Sequence, residues 1–432
     1  MKLLSMLMLV SSLLLLNVIG PRHVTAQSTR KLHVDLGIRT PLAFEKRNGD
    51  TRILYDPDDK ELERILSVVQ TRLVKLHSEI SFPGATLGFV LPDGRAGSVS
   101  VGVSDLELKK PLVPSDRMPA GSIGKMFVAA VALQLAQEGK ITLDEKIEHW
   151  FGADPWFPRL ANAHDVTLRM LLNHTSGIPE HEETAQFRKD LVANPNQTRK
   201  PEELIAYILD KRALFPAGKK WSYADTNYIL VGMIIERVTA RSLYSEMARR
   251  LLTPLKLNNT IPSDQRVLPG VIPGYSKEIG QLINKKGPYT KMIGPDGLII
   301  NPQWEWAGGG LASTPEDLAR WVKALFDGNV LEKAFLDQMT AGVKSEKDLK
   351  YGLGVVINST RSGELYGHDG VFPGYISVVK YSPQHRVAVA IQFNSDFFSK
   401  VRKDGPPASF SLDEIIPLIV DALDKKPTGN VS

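Results

Sequence analysis

The 432-residue chain contains no cysteine. That excludes disulfides, thiolate metal sites, a lipid anchor on cysteine and a cysteine nucleophile. Aromatic residues make up only 7% of the chain and do not interleave with a basic stripe, so nucleic-acid binding is not expected. The excess of 53 Lys and Arg over 48 Asp and Glu is mild, a net +5. Nine histidines form no H-E-x-x-H, and His174 and His181, seven apart, are no zinc signature. There is no G-x-S-x-G elbow, no P-loop and no dinucleotide fingerprint. The expectation is therefore a chain needing no cofactor and no metal. After the first 26 residues no stretch is long and apolar enough to span a membrane.

What is present begins with that first stretch. Lys2 is followed by an apolar run from Leu3 to Ile19, then Pro21-Arg22-His23 and Val24-Thr25-Ala26. This pattern reads as a signal peptide over 1–26, cut after Ala26, with an uncleaved anchor as the alternative. Export without disulfides fits a bacterial envelope better than a eukaryotic secretory route. Residues 27–82 read as an extension, irregular to about 57, followed by a helix. In the segment Pro57–Ile80, Leu62, Ile65, Leu66, Val69, Leu73 and Leu76 share one helical stripe.

A hairpin follows, Ala85–Leu91 and Gly97–Val103, joined by the turn residues Pro92-Asp93-Gly94-Arg95. Residues 122–255 read as mostly helical. Strands are expected again at Tyr351–Ile357, Gly374–Tyr381 and Arg386–Phe393, with a last amphipathic helix at Leu412–Leu423 and a tail at 426–432. Strands at both ends of the chain, with helices between, imply one sheet built from the two ends and interrupted by a helical insertion. Residues 262–305 are rich in Pro and Gly and read as loops near a cleft.

Three motifs carry chemistry. In Gly121-Ser122-Ile123-Gly124-Lys125 a serine stands three residues before a lysine, at the start of an apolar helix. Positions i and i+3 share a helix face. A serine hydroxyl becomes a strong nucleophile when a base takes its proton. A lysine amine is such a base when desolvation or nearby positive charge lowers its pKa from about 10.4. Read alone, Ser122 equally suits a helix N-cap and Lys125 a snorkelling surface residue. In Trp221-Ser222-Tyr223-Ala224-Asp225, Tyr223 suits a proton shuttle or a core aromatic, and Asp225 a helix cap. In Tyr366-Gly367-His368-Asp369-Gly370-Val371, at the mouth of a strand, flanking glycines permit close approach of a ligand. His368 there suits a positive or hydrogen-bonding contact, and the Val371 N–H an oxyanion. The alternative is a tight glycine turn.

Taken together and in this order, the three motifs resemble those of the serine β-lactamase and penicillin-binding-protein superfamily, in its class C β-lactamase-like branch. That branch includes D-alanyl-D-alanine carboxypeptidases, D-aminopeptidases and carboxylesterases. Leu171-Leu172-Asn173-His174-Thr175-Ser176-Gly177-Ile178, Phe215-Pro216-Ala217-Gly218, Leu252-Thr253-Pro254-Leu255 and Gly308–Leu318 are similar too, so the resemblance covers about 83–397. It implies an α/β plus all-α fold of the β-lactamase/transpeptidase type, spanning 83–425, with an antiparallel sheet flanked by helices and a helical insertion.

The resemblance also implies an acyl-enzyme on Ser122, with Lys125 as its base or base partner and Tyr223 as the relay to the leaving group. Asp225, His368, Gly370 and Val371 would bind substrate, the N–H groups of Ser122 and Val371 forming the oxyanion hole. Two departures stand out. Asp225 replaces the asparagine of many members and cannot donate a hydrogen bond when ionised; it can instead pair with Lys125. His368 replaces the lysine of many β-lactamases. The expected function is hydrolysis of D-amino-acid peptides or amides, D-Ala-D-Ala carboxypeptidase-like. Carboxylesterase or weak β-lactamase action comes next, and a non-catalytic sensor of peptidoglycan or β-lactams last. The expected partners are a small peptide, amide or ester and peptidoglycan. The expected location is periplasmic or secreted, with no membrane span once the signal is cleaved.

Overall fold

The computed structural model describes residues 43–47, 51–55, 59–283, 287–346, 349–360, 363–397 and 412–424. The signal peptide over 1–26 and the tail over 426–432 lie outside the described residues. Ten strands run through one antiparallel sheet: β1 (Ala43–Arg47), β2 (Thr51–Tyr55), β3 (Gly84–Val90), β4 (Ala96–Asp105), β5 (Val343–Glu346), β6 (Leu349–Tyr351), β7 (Val356–Thr360), β8 (Gly363–Phe372), β9 (Tyr375–Ser382) and β10 (Val387–Phe393). Their spatial order is β1-β2-β4-β3-β10-β9-β8-β7-β6-β5, and a two-residue strand, Lys110–Pro111, joins β4 from outside this path. The two ends of the chain meet where Ala85 of β3 pairs Phe393 of β10. The sheet built from both ends is thus the observed one.

The region before residue 57 departs from the expectation of irregular chain. β1 and β2 form a hairpin, and β2 extends the sheet through Arg52↔Ser100 and Leu54↔Ser98. The expected strand Tyr351–Ile357 is broken between β6 and β7, because Gly354 has a left-handed φ of +76°.

Strands β3 and β10 are buried over their whole length, which explains their near-continuous apolar sequence. Alternation still sorts their side chains. Val387, Val389, Ile391 and Phe393 enter an outer core, whereas Ala388 and Ala390 face an inner one. The outer core is covered by α1 (Lys60–Ile80) and the last helix (Leu412–Asp424). The predicted stripe on α1 is buried, joined by Gln70 and Ile80. Asp59 caps that helix, its Oδ1 accepting from the Leu62 N–H at 2.9 Å.

The inner core holds α2 (Gly124–Gln137), α3 (Asp225–Thr239) and α4 (Pro315–Phe326). Helix α2 is buried on nearly every side, as its all-round apolar sequence requires. Its Phe127 stacks on Trp321 of α4 at 4.0 Å between centroids. Ser122 and Lys125 stand where this helical layer meets the sheet. Among the described residues no helix is long and apolar enough to cross a membrane.

Candidate active site

Ser122 sits in a 3-10 turn, Gly121–Ile123, that leads directly into α2, rather than inside the α-helix itself. The i, i+3 relation survives this change of helix type, and the Lys125 ammonium donates to Ser122 Oγ at 2.9 Å. Lys125 is fully buried. Its other contacts are Gly308 O and Asp225 Oδ1, the latter at 2.5 Å. Three donors therefore meet three acceptors. Ser122 stays partly open to the cleft. The N-cap and surface-lysine readings of this motif do not hold: no side-chain cap bond forms, and Lys125 is interior.

Tyr223 and Asp225 flank the start of α3, whose first turn carries Asp225. The Tyr223 hydroxyl is buried without a hydrogen-bond partner, and Lys125 Nζ lies 4.9 Å from its ring centroid. Burial, and then the Asp225 carboxylate, push its phenol well above the usual range; the Ser122 side chain works the other way. Behind it lies His174, a non-glycine residue at φ +61° in the Asn-His-Thr-Ser-Gly turn. His174 packs on Tyr223 at 4.2 Å between centroids. Its Nδ1 faces the Ala224 N–H at 3.3 Å and the Asn227 side-chain amide at 3.1 Å. Burial, and then Lys125, keep it neutral. His174 is thus a support for the Tyr223 segment.

The His-Asp-Gly motif, expected at the mouth of a strand with a tight glycine turn as the alternative, lies inside the ten-residue strand β8. Strand β7 pairs β8 only as far as Val356↔Gly367, so β8 runs on past it from His368 to Phe372. That stretch meets the Ser122 turn through two glycines. A Cβ on Gly121, at φ +54°, would fall 2.5 Å from the Val371 nitrogen. A Cβ on Gly370 would fall 1.9 Å from the Ala120 carbonyl oxygen and 3.1 Å from the Ser122 nitrogen. Only glycine lets the Ser122 and Val371 backbones come together.

His368 does not offer a positive charge. It is 3% exposed. Burial, and then the Lys125 ammonium, push it down to about 4, so the ring is neutral at pH 7. Its Nδ1 contacts the Asp369 carbonyl at 2.6 Å and its Nε2 the Tyr351 hydroxyl at 2.9 Å.

The cleft beside Ser122 has a volume of about 800 Å³. Its lining includes the apolar side chains of Phe187, Leu191, Leu214, Trp221, Ile279 and Trp304 and the cations Arg188 and Lys211. It also includes Asp225 and three glutamates, Glu180, Glu182 and Glu305. Sequence reasoning missed these glutamates, which occupy no motif; the run His181-Glu182-Glu183 after the Asn-His-Thr-Ser-Gly turn is the only signal. The Asp225 N–H donates to Glu180 Oε2. Burial raises Glu180, but His181 and the N–H groups of Glu182 and Asp225 outweigh it and hold the carboxyl low. Burial, and then Asp225 and Glu180, push Glu182 far up. Burial, and then Asp225, push Glu305 up to about 8. Glu180, His181 and Glu182 place one donor atom each within 4.8 Å of one another, the group among the described residues suited to a cation.

The β-lactamase family model matches residues 69–413, most of the chain. The chain is 27% identical to a D-stereospecific amidohydrolase from Streptomyces, covering 81% of this chain and 97% of that one with a TM-score of 0.68. A D-amino acid amidase from Ochrobactrum anthropi, at 22% identity, shares the fold over 84% of this chain and 98% of that one, TM-score 0.67. A penicillin-binding protein of Bacillus subtilis is 24% identical over 69% of this chain and 65% of its own length. Protein flp of Staphylococcus aureus is 22% identical over 78% of this chain and 64% of its own. The chain thus spans about two-thirds of the length of these curated relatives. A match of this extent, over a sheet and helical layer that put Ser122, Lys125 and Tyr223 together, establishes that the chain belongs to the β-lactamase family.

Proposed function

We propose that this protein is a serine hydrolase that cleaves amides or short peptides of D-amino acids bearing a free α-ammonium group, through an acyl-enzyme on Ser122. The observation that carries the reading is the Ser122–Lys125 contact of 2.9 Å beside a cleft whose lining includes Glu180, Glu182 and Asp225. Glu182 and Glu305 are raised, and so protonated, in the empty cleft; a ligand that brings a positive charge would let them ionise and pair with it. His368 is neutral and both its ring nitrogens are engaged, by Tyr351 and by the Asp369 carbonyl, so it has no free donor for a substrate carboxylate. The carboxypeptidase-like reading therefore gives way to an aminopeptidase- or amidase-like one. The D-configuration is supported by the names of the Streptomyces and Ochrobactrum relatives.

The steps follow from the contacts. Lys125 acts as the amine, its nitrogen held 2.5 Å from Asp225 Oδ1. That amine takes the Ser122 proton as Oγ attacks the substrate carbonyl. The N–H groups of Ser122 and Val371 hold the oxyanion, an arrangement whose donors are each worth a few kcal/mol. The Tyr223 hydroxyl gives its proton to the departing nitrogen and regains one from Lys125. Water then enters, loses a proton to the same relay, and releases the acid from Ser122. Asp225 in place of an amide accepts from the Lys125 nitrogen and so orients it toward Ser122. Peptidoglycan peptides, an envelope location and cleavage of the signal peptide belong to the same reading.

The test is a side-by-side panel of D-amino-acid amides, D-Ala-D-Ala peptides, p-nitrophenyl esters and nitrocefin. The expected order places the D-amino-acid amides first and nitrocefin last. A higher kcat/KM for N-acylated peptides than for free-amino amides would overturn the reading.

A further inference from the structure

Tyr351 at the end of β6 belongs to none of the three motifs, yet it lines the cleft and is 2% exposed. Its hydroxyl lies 2.9 Å from His368 Nε2. The other ring nitrogen, Nδ1, faces the Asp369 carbonyl at 2.6 Å. A carbonyl oxygen only accepts, so Nδ1 carries the hydrogen. In the neutral ring Nε2 is then the acceptor, and the Tyr351 hydroxyl is its donor. Neighbouring Tyr228 directs its own proton to the Leu172 carbonyl at 2.9 Å. Both ring nitrogens of His368 are therefore occupied, and neither is left to donate to a ligand.

We propose that Tyr351 is a positioning residue that holds His368 as the neutral Nδ1–H tautomer and so sets the cleft against substrates whose leaving group ends in a carboxylate. The second half of this statement rests on the reading given under Proposed function. The charged groups around His368 agree with it. Lys125 and Lys380 disfavour a cationic ring, whereas Asp369 favours one. Asp369 is itself engaged by Lys380 at 3.3 Å. Tyr223 and His174 complete the surround, with ring centroids 6.2 Å from His368 and 4.7 Å from Tyr351 respectively. A proton placed on Nε2 would displace the Tyr351 donor and add a second cation beside Lys125. Where a carboxylate-binding site needs a cation or a free donor, Tyr351 supplies a proton that keeps both away.

Two-bond proton–nitrogen correlation spectra of histidine-labelled protein read the tautomer directly, with the His368 signals identified by their loss in His368→Gln. The wild type should show a protonated Nδ1 and an unprotonated Nε2 from pH 5 to 8. An Nε2–H tautomer, or an imidazolium at pH 7, would overturn the proposal without any variant. Tyr351→Phe keeps the ring and removes the donor, so the protonation midpoint of His368 should rise by about one unit. The ratio of kcat/KM for a D-dipeptide with a free C-terminal carboxylate to that for its C-terminal amide should rise at least ~5-fold at pH 6. An unmoved midpoint, or a moved midpoint with an unchanged ratio, would contradict the role. The spectra need no turnover, so a wild type that cleaves neither compound would refute the functional reading alone.

Discussion

The two cores on either side of the sheet are built from the same strands but obey different rules. The outer one, under α1 and the last helix, is Leu, Ile, Val, Phe and Ala, with Gln70 the buried polar side chain on α1. The inner one contains a comparable apolar packing, yet at its edge lie buried Lys125, Glu182, Glu305, His174 and His368. Burial of an apolar side chain stabilises directly, at about 25 cal/mol per Å². Burial of an ionisable group costs free energy unless partners compensate. The inner side therefore carries free energy that could have gone into stability, and holds it as tuned protonation states. Activity and stability should separate across the sheet.

The largest effects should come from the inner side. Ser122→Ala should abolish turnover of every substrate while leaving thermal unfolding nearly unchanged. Lys125→Ala should lower kcat at least ~100-fold, the lower end for loss of a general base, and it also strands Asp225. Steady-state assays of both on the best substrate decide the point; unimpaired Lys125→Ala turnover would break the comparison.

The mirror experiment is Leu66→Ala in the outer core. It should cost about 2–5 kcal/mol in denaturant unfolding with kcat/KM unchanged for the folded protein. Glu182→Gln probes the carboxyl cluster of the cleft, since Glu182, protonated in the empty site, would ionise beside a bound ammonium. It should raise KM for free-amino amides at least ~10-fold, through loss of that induced contact, and leave neutral esters within about twofold.

The pH dependence of stability separates the two sides as well. His368 is held at about 4 in the fold, below its ordinary value of 6.5. The unfolded chain then binds the extra proton, so stability is lost as pH falls from about 6.5 toward 4. Glu305 is raised to about 8, so its contribution is lost as pH rises from its ordinary 4.5 through 8. His368→Gln should reduce the first slope, which His174 shares, and Glu305→Gln the second, which Glu182 shares, both measurable by unfolding at graded pH. Outer-core substitutions should leave both slopes alone. The smallest effect is expected at the surface. Arg95→Ala removes contacts to Asp59 at 2.8 Å and Glu61 at 2.6 Å, and should cost no more than about 1 kcal/mol, with kinetics unchanged.

Much of the outer side was legible in the sequence, because periodicity reports burial. The α1 stripe and strands β3, β9 and β10 follow from it within a residue or two. The hairpin at 43–55 did not, since short polar strands on a sheet edge lack that signal. On the inner side the three motifs led to Ser122, Lys125 and Tyr223. Glu305 and Tyr351 reach the site from loop and strand positions far along the chain, where only tertiary packing brings them in. The sequence left His368 open between a positive and a hydrogen-bonding contact for the same reason. The deciding factors are burial and the ammonium of Lys125, 243 positions earlier in the chain by number (368 minus 125).

The central claim is covalent chemistry at Ser122. Intact-mass analysis of protein quenched in acid during turnover of a slow D-amino-acid ester, followed by peptide mapping, tests it most directly. The account predicts a mass increase equal to one acyl group, located on Ser122 and missing from Ser122→Ala. An adduct on another residue, or one that persists in Ser122→Ala, would contradict it.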